Sequence, residues 1–248
     1  MSKKTLGILG GMGPIASEFF LRLIVEHTKA TRDSDHIDIL MSSVASTPDR
    51  TEYLLGKSAK SPLEPMIRAA RCLIYGGAEI IAVPCNTAAA FNDKLEKNTG
   101  VEVLSIVEET VRFAAFLGAK KIGILATRGT AESGTYQTEC KKFDIEAVFP
   151  CRIEQAAIMN EIYSRIKAGT MQVNDIYLVA NELATHCDFV VLGCTELSTI
   201  DFSGFDDSER IIDSSRVLAV SSILRCGAEP IGFERIYKNF RRYYDKSI

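Results

Sequence analysis

The sequence predicts an α/β protein built from doubly wound parallel sheets, arranged as two related halves. Three observations predict it. Strand-length apolar runs alternate with helical periodicity along the 248 residues, the pattern of parallel sheets covered by helices. The segment TLGILGGMGPIASEFF, from Thr5, is echoed by KIGILATRGTAESGTY, from Lys121: a strand centred on GIL, a polar or Gly-rich turn, then a Ser-containing helix. Two further stretches match each other, IIAVPCNTA from Ile80 and FVVLGCTEL from Phe189. Each has an apolar run, a Pro or Gly, a cysteine, a polar residue and nearby a Thr. Gly7 and Gly123 lie 116 residues apart, and Cys85 and Cys194 lie 109 apart. Similar but unequal offsets fit two diverged copies of one unit.

Taken in order, Lys4 to Gly10 predicts a buried strand that runs into GMGP, where Pro14 suits a helix's first turn. That helix continues from Ile15 to about Lys29, with Phe19, Leu23 and Val25 among its apolar positions. A second strand covers His36 to Met41. The stretch SSVASTPDRTEYLLG then lacks periodicity and reads as a long loop, the kind that is often functional. Pro62 opens a helix to about Tyr75, closed by Gly76 and Gly77. Glu79 to Pro84 is the third strand, followed by a helix from about Thr87 to Lys97 that Gly100 ends. VEVLSI and a helix from Val107 to Leu117 complete the first half. In the second half, strands are expected at Lys121, at Ile145 to Phe149, at Asp188 to Gly193 and at Arg210 to Asp213. Helices are expected after LAT, over Arg152 to Lys167, Val173 to Thr185, Ser215 to Arg225 and Phe233 to Tyr243.

Composition narrows the function. An apolar fraction of 46%, a charged fraction of 25% and a net charge of −3 are ordinary for a globular protein. They give no general basic field for nucleic acid or anionic lipid. No apolar run approaches the roughly 20 residues of a membrane span, and the N-terminal apolar run is too short for a signal-peptide core. A cytoplasmic protein is expected, with neither nucleic-acid nor membrane partners. The seven cysteines include no CxxC pair, so a zinc ribbon or thioredoxin-type motif is not expected. Free thiols are expected in a reducing compartment. His27, His36 and His186 have no metal-ligand spacing, and no metal is expected.

Ligands of parallel α/β sheets bind outside the strands' carboxyl ends. Cys85 and Cys194 both sit there, so halves that face each other bring two thiols to one cleft. His186 and Cys187 precede their strand and belong to the opposite end; Tyr53 and Tyr136 read as packing or lid residues. GMGPIA also fits the G-x-G-x-x-A dinucleotide pattern. That pattern wants an acid at the end of the second strand, where this chain has Met41-Ser42-Ser43. The alternative is a tight strand-to-helix turn around Met12 whose amides face a small anion, such as a substrate carboxylate.

Together GILGGMGP, TPDRT, PCNTA, LATRGTAESGTY, IYSRIKAG and GCTEL resemble the aspartate/glutamate racemase family, on its aspartate racemase side. The resemblance runs from about residue 5 to 215, with the motifs in the family's order. It implies two flavodoxin-like halves related by a pseudo-twofold axis, taken as residues 1–112 plus 218–248 and residues 113–217. It also implies a homodimer and no cofactor. Cys85 and Cys194 are implied to be the acid and base that move a Cα proton of an amino-acid substrate. Glutamate racemases typically read Cys-Thr-His at the second motif; Cys194-Thr195-Glu196 favours aspartate, a dicarboxylic substrate. The family motifs place Arg50 and Lys167 as cations near the substrate. Amides and hydroxyls at Asn86, Thr87 and Thr195, with Met12 and Thr127, are expected to hold it. Asp49 and Glu196 are expected to orient or tune the thiols, or to meet the substrate ammonium. Helix N-termini after both cysteines are expected to favour the thiolate form. Alternatives are a glutamate or broad-specificity racemase, an isomerase or decarboxylase with one cysteine nucleophile, and a non-catalytic amino-acid or nucleotide binding module.

Overall fold

A computed structural model describes residues 3–166, 174–202, 205 and 208–233. Two four-stranded, all-parallel sheets carry the architecture. The first is built from β1 (Leu6–Gly10), β2 (Ile39–Ser43), β3 (Ile80–Ala82) and β4 (Val103–Leu104), in the order β2-β1-β3-β4. The second repeats that order as β6-β5-β7-β8, with β5 (Lys121–Leu125), β6 (Glu146–Val148), β7 (Phe189–Leu192) and β8 (Ile211–Asp213). This is the doubly wound, flavodoxin-like order, used twice.

The register shows how closely the halves correspond. Gly7 pairs with Ile81 and Gly123 with Val190. Each cysteine lies four residues beyond its glycine's partner, so Cys85 and Cys194 are structurally equivalent. The unequal spacings seen in the sequence therefore arise entirely in the β1–β3 and β5–β7 connections.

The first half's helices are α1 (Pro14–His27), α2 (Arg50–Leu54), α3 (Leu63–Tyr75), α4 (Asn92–Thr99) and α5 (Ile106–Phe116). Those that follow β5 along the chain are α6 (Arg128–Ser133), α7 (Thr135–Lys141), α8 (Arg152–Asn160), α9 (Asn174–Ala184) and α10 (Ser214–Arg225). Pro14 opens α1, and Gly100, at φ 71°, stops α4 in the left-handed conformation that glycine adopts freely. Ser105, Thr127 and Asp213 accept main-chain amides at the starts of α5, α6 and α10. Helices α5 and α10 pack together, and α10 also packs on α1. One apolar cluster runs through both sheets, with Ile8 and Ile80 from the first and Ile124, Val191 and Ile212 from the second. Among the described residues no helix is long and apolar enough to cross a membrane.

Four expectations change. The long loop is broken by α2, a five-residue helix whose start Asp49 caps by accepting the Glu52 amide at 2.9 Å. Val25 is 45% exposed, and the inner face of α1 is Phe20, Leu23 and Ile24. Thr87–Phe91 is a 3-10 turn before α4 begins. After Cys194 no α-helix follows at once; Leu197–Thr199 is a single 3-10 turn. The expected helices over 152–167 and 233–243 extend past the described residues.

Candidate active site

Gly11 shapes the entry to the site. Its φ is +89°, and a Cβ there would lie 2.3 Å from the Val44 amide nitrogen, so only glycine fits this close crossing. Its own amide donates to Ser17 Oγ at 2.9 Å. That amide is thus committed inside the α1 start rather than facing an anion. β2 ends without an acidic residue, and the dinucleotide reading loses its ribose partner.

Next to this turn, Arg50 is pulled inside. It is 8% exposed, and its guanidinium donates to the main-chain carbonyls of Met12 at 3.0 Å, Pro48 at 3.2 Å and Thr47 at 3.4 Å. Both terminal nitrogens are therefore engaged in holding the loop to the GMGP turn. Only Nε is without a hydrogen-bond partner among the described residues. As arranged, the side chain supplies charge to the site more readily than a two-pronged fork. Burial works against that charge, but Cys85, followed by Asp49, outweighs it and raises the Arg50 pKa above its usual value. The first thiol thus has a permanent cation beside it.

The second thiol has the opposite neighbour. Cys194 Sγ donates to Glu196 Oε2 at 3.0 Å, and both residues are buried. Thr195 Oγ1 donates to the same oxygen at 3.4 Å. Glu196 reaches the first half as well: a Cβ on Gly13 would stand 3.0 Å from its Oε1. In place of the helix N-terminus expected after Cys194, a carboxylate acts on this sulfur.

Scaffold hydrogen bonds fix the rest. Asn86 Oδ1 accepts from the buried Tyr136 hydroxyl at 2.7 Å, and its Nδ2 donates to Ser214 Oγ at 3.0 Å. Ser214 Oγ in turn donates to the Leu192 carbonyl at 2.6 Å. Burial raises the Tyr136 pKa, so this phenol is a neutral structural donor, as a packing residue should be. Thr87, Thr127 and Thr130 join hydroxyls at 2.9, 2.9 and 3.1 Å. That knot ties the turn after β3 to the start of α6. Gly129 lets α6 sit close on α2; a Cβ there would lie 2.6 Å from Thr51 Oγ1.

Met12, Arg50, Cys85, Asn86, Thr87, Thr127, Cys194, Thr195 and Glu196 line one chamber between the halves. Asp49 stands just outside it, on a neighbouring cavity of about 360 Å³. Lys167 lies outside the described residues. Sequence reasoning missed two chamber residues, Thr51 and Tyr163. The Tyr163 hydroxyl donates to Asp49 Oδ2 at 3.0 Å, joining the halves. Burial, the largest influence, raises its pKa, so it stays a phenol. The chamber itself holds only about 10 Å³, while a cleft of about 1000 Å³ opens beside it between α2, α6 and α8.

Two equivalent strand ends that deliver paired thiols to one chamber, on a doubled flavodoxin-like fold, define an isomerase of the racemase class. The chain belongs to the Asp/Glu/hydantoin racemase family, whose model matches residues 9–221. It is 28% identical over 225 residues to a broad-specificity amino-acid racemase of Bacillus subtilis, covering 88% of this chain and 96% of that one. It is 31% identical over 155 residues to the glutamate racemase of Aquifex pyrophilus, covering 58% of each. The structure of the aspartate racemase of Picrophilus torridus superposes with a TM-score of 0.83 at 27% identity, covering 94% of this chain and 99% of that one.

Proposed function

We propose that this protein is a cofactor-independent aspartate racemase that interconverts L- and D-aspartate with Cys85 and Cys194 as its two bases. The observation that carries the reading is the shared chamber of two equivalent cysteines, one beside a cation and the other donating to a carboxylate. A Cα proton must leave one face of the substrate and return on the other, which one fixed base cannot readily do. In this reading Cys85, beside Arg50, is taken as the base, and Cys194, which donates to Glu196, as the acid for one direction. The Cys85 thiolate takes the Cα proton and becomes a thiol. Cys194 gives its proton to the opposite face and becomes a thiolate. The reverse reaction starts from that exchanged state.

The carbanion needs its charge held while the proton is in transit. Arg50 supplies positive charge next to the chamber, and Thr87, Thr127 and Thr195 offer hydroxyls on its walls. Lys167 is kept as the second cation on the family resemblance alone, as is the homodimer. In this reading the units are residues 1–112 plus 218–248 and residues 113–217; the packing of α10 on α1 supports that division.

The likeness to the Picrophilus torridus enzyme and the Glu at position 196 favour aspartate. A broader amino-acid range is the second reading, favoured by the Bacillus subtilis relative and the large adjoining cleft. The test is to incubate L- and D-aspartate separately with the protein in D2O. Deuterium should appear at Cα from both. No Cα deuterium in either, and none with glutamate, would sink the proposal.

A further inference from the structure

We propose that Tyr163 sets the length of substrate side chain this enzyme accepts, by walling the two-thiol chamber off from the large cleft beside it. The proposal rests on the racemase reading above and goes on to name the residue that fixes substrate class.

The chamber's open volume of about 10 Å³ is about what a single water needs. Any amino acid that binds must displace part of the wall. Most of that wall is tied down. Asn86 is held from two sides, three threonine hydroxyls are knotted, Arg50 is fixed to main-chain carbonyls, and Cys194 is bonded to Glu196. Tyr163 differs in position. Among the described residues it alone borders all three spaces: the chamber, the cavity of about 360 Å³ by the GMGP turn, and the cleft of about 1000 Å³. It is also only half-buried. A π-helical turn, Glu161–Ile166, carries it, a local form that is common at functional positions.

The bond from Tyr163 to Asp49 Oδ2, at 3.0 Å, holds the ring across the gap between the halves. A small retreat of the ring makes room for a side chain as short as aspartate's. A longer side chain needs the volume of the ring itself. The cleft beyond the ring is lined by Leu55, Phe149, Pro150 and Met159 together with charged side chains such as Arg128 and Glu132; its apolar members suit the body of a long thioether or aliphatic chain. Removing the ring joins chamber to cleft and admits that class.

The experiment compares initial rates of Cα deuterium incorporation from D2O with L-aspartate and with L-methionine as probe. It uses the full chain and three variants, Tyr163→Ala, Tyr163→Leu and Tyr163→Phe, each checked for folding by thermal melting. The Ala and Leu variants should raise the methionine-to-aspartate rate ratio tenfold or more, the scale expected when a pocket gains room for extra methylenes, about 10- to 200-fold. Tyr163→Phe, which keeps the ring and loses the bond to Asp49, should hold the ratio near that of the unmodified protein. Two results overturn the proposal while leaving the racemase reading intact. One is no rise in the methionine rate itself in the folded Ala and Leu variants, whether the ratio is unchanged or rises only because aspartate exchange is lost. The other is an unmodified protein that already exchanges methionine as fast as aspartate. If the unmodified protein exchanges no amino acid, the racemase reading fails and this proposal falls with it.

Discussion

Cys85 and Cys194 hold equivalent places in two sheets of the same strand order, yet their surroundings are opposite in charge. Beside Cys85 is a buried guanidinium, carried by α2 and anchored to three carbonyls. Beside Cys194 is a buried carboxylate two residues along its own chain, with a single 3-10 turn and no α-helix immediately following. The repeated fold supplies position, since a parallel strand end delivers its next residues to the same edge in each half. The chemistry comes from residues that differ between the halves: Arg50 on α2, and Glu196 where the first half has Thr87. A two-base exchange needs this mismatch, because a proton can cross the substrate only if one thiol begins charged and the other protonated.

Removing either sulfur should have the largest effect. Cys85→Ser and Cys194→Ser should each lower racemisation by about 10³-fold, the middle of the range for a lost acid or base. In a chiral assay the double variant should fall far short of the product of the single losses, because the two act as a unit. A fully active single variant would break the comparison outright.

Next is the cation. Arg50→Met should lower kcat/KM by about 10²-fold, the scale of a lost electrostatic contact. It should also destabilise the fold by about 3 kcal/mol, since three buried carbonyls lose their donor. Chiral kinetics and thermal melting read the two effects separately. Arg50→Lys keeps the charge without the reach and should fall between.

Glu196→Gln tests the other side more gently. An amide is a weaker acceptor for the Cys194 thiol than a carboxylate by about 1.4 kcal/mol, and a loss of about tenfold is expected. Enantiomers are equal in energy, so the loss in kcat/KM must be the same from L- and D-aspartate. Only kcat and KM taken singly can differ between directions.

The smallest effect lies in thiols away from the site. Burial pushes Cys140 and Cys226 up to about 12. Iodoacetamide at pH 8 should spare both, while the exposed Cys72 and Cys151 label first; peptide mass mapping checks this. These two buried thiols stay protonated in the folded chain at pH values where the unfolded chain, with thiols near 9.0, has ionised. Their contribution to stability is therefore complete below about pH 9. It should decline by about 1.4 kcal/mol per pH unit for each thiol as pH rises towards 12, which chemical denaturation at stepped pH measures.

Much of this was legible in the sequence because periodicity and strand ends are local signals. Alternating elements marked the parallel sheets, and two cysteines at matched strand ends marked the chamber that both now line. What escaped was either too short or too distant to leave a local trace. Helix α2 has five residues, fewer than two turns, so no apolar stripe could reveal it. Tyr163 joins Asp49 from 114 residues away, and nothing around it in sequence marks it as a wall. The motif IYSRIKAG drew attention to Lys167 instead, a residue whose placement lies outside the described chain. The turn after Cys194 reads like the one after Cys85, but only the latter runs on into an α-helix, α4.

The pairing of Cys85 with Cys194 is tested most directly by the isotope found in product and in unreacted substrate at low conversion. L-aspartate is incubated with the protein in D2O and stopped when a few per cent has turned over, and both enantiomers are separated and weighed by mass spectrometry. Two bases on opposite faces predict D-aspartate carrying deuterium at Cα while the remaining L-aspartate carries none. D-aspartate that keeps its original Cα proton would mean one group serving both faces, and would contradict the assignment of Cys85 and Cys194 as a pair.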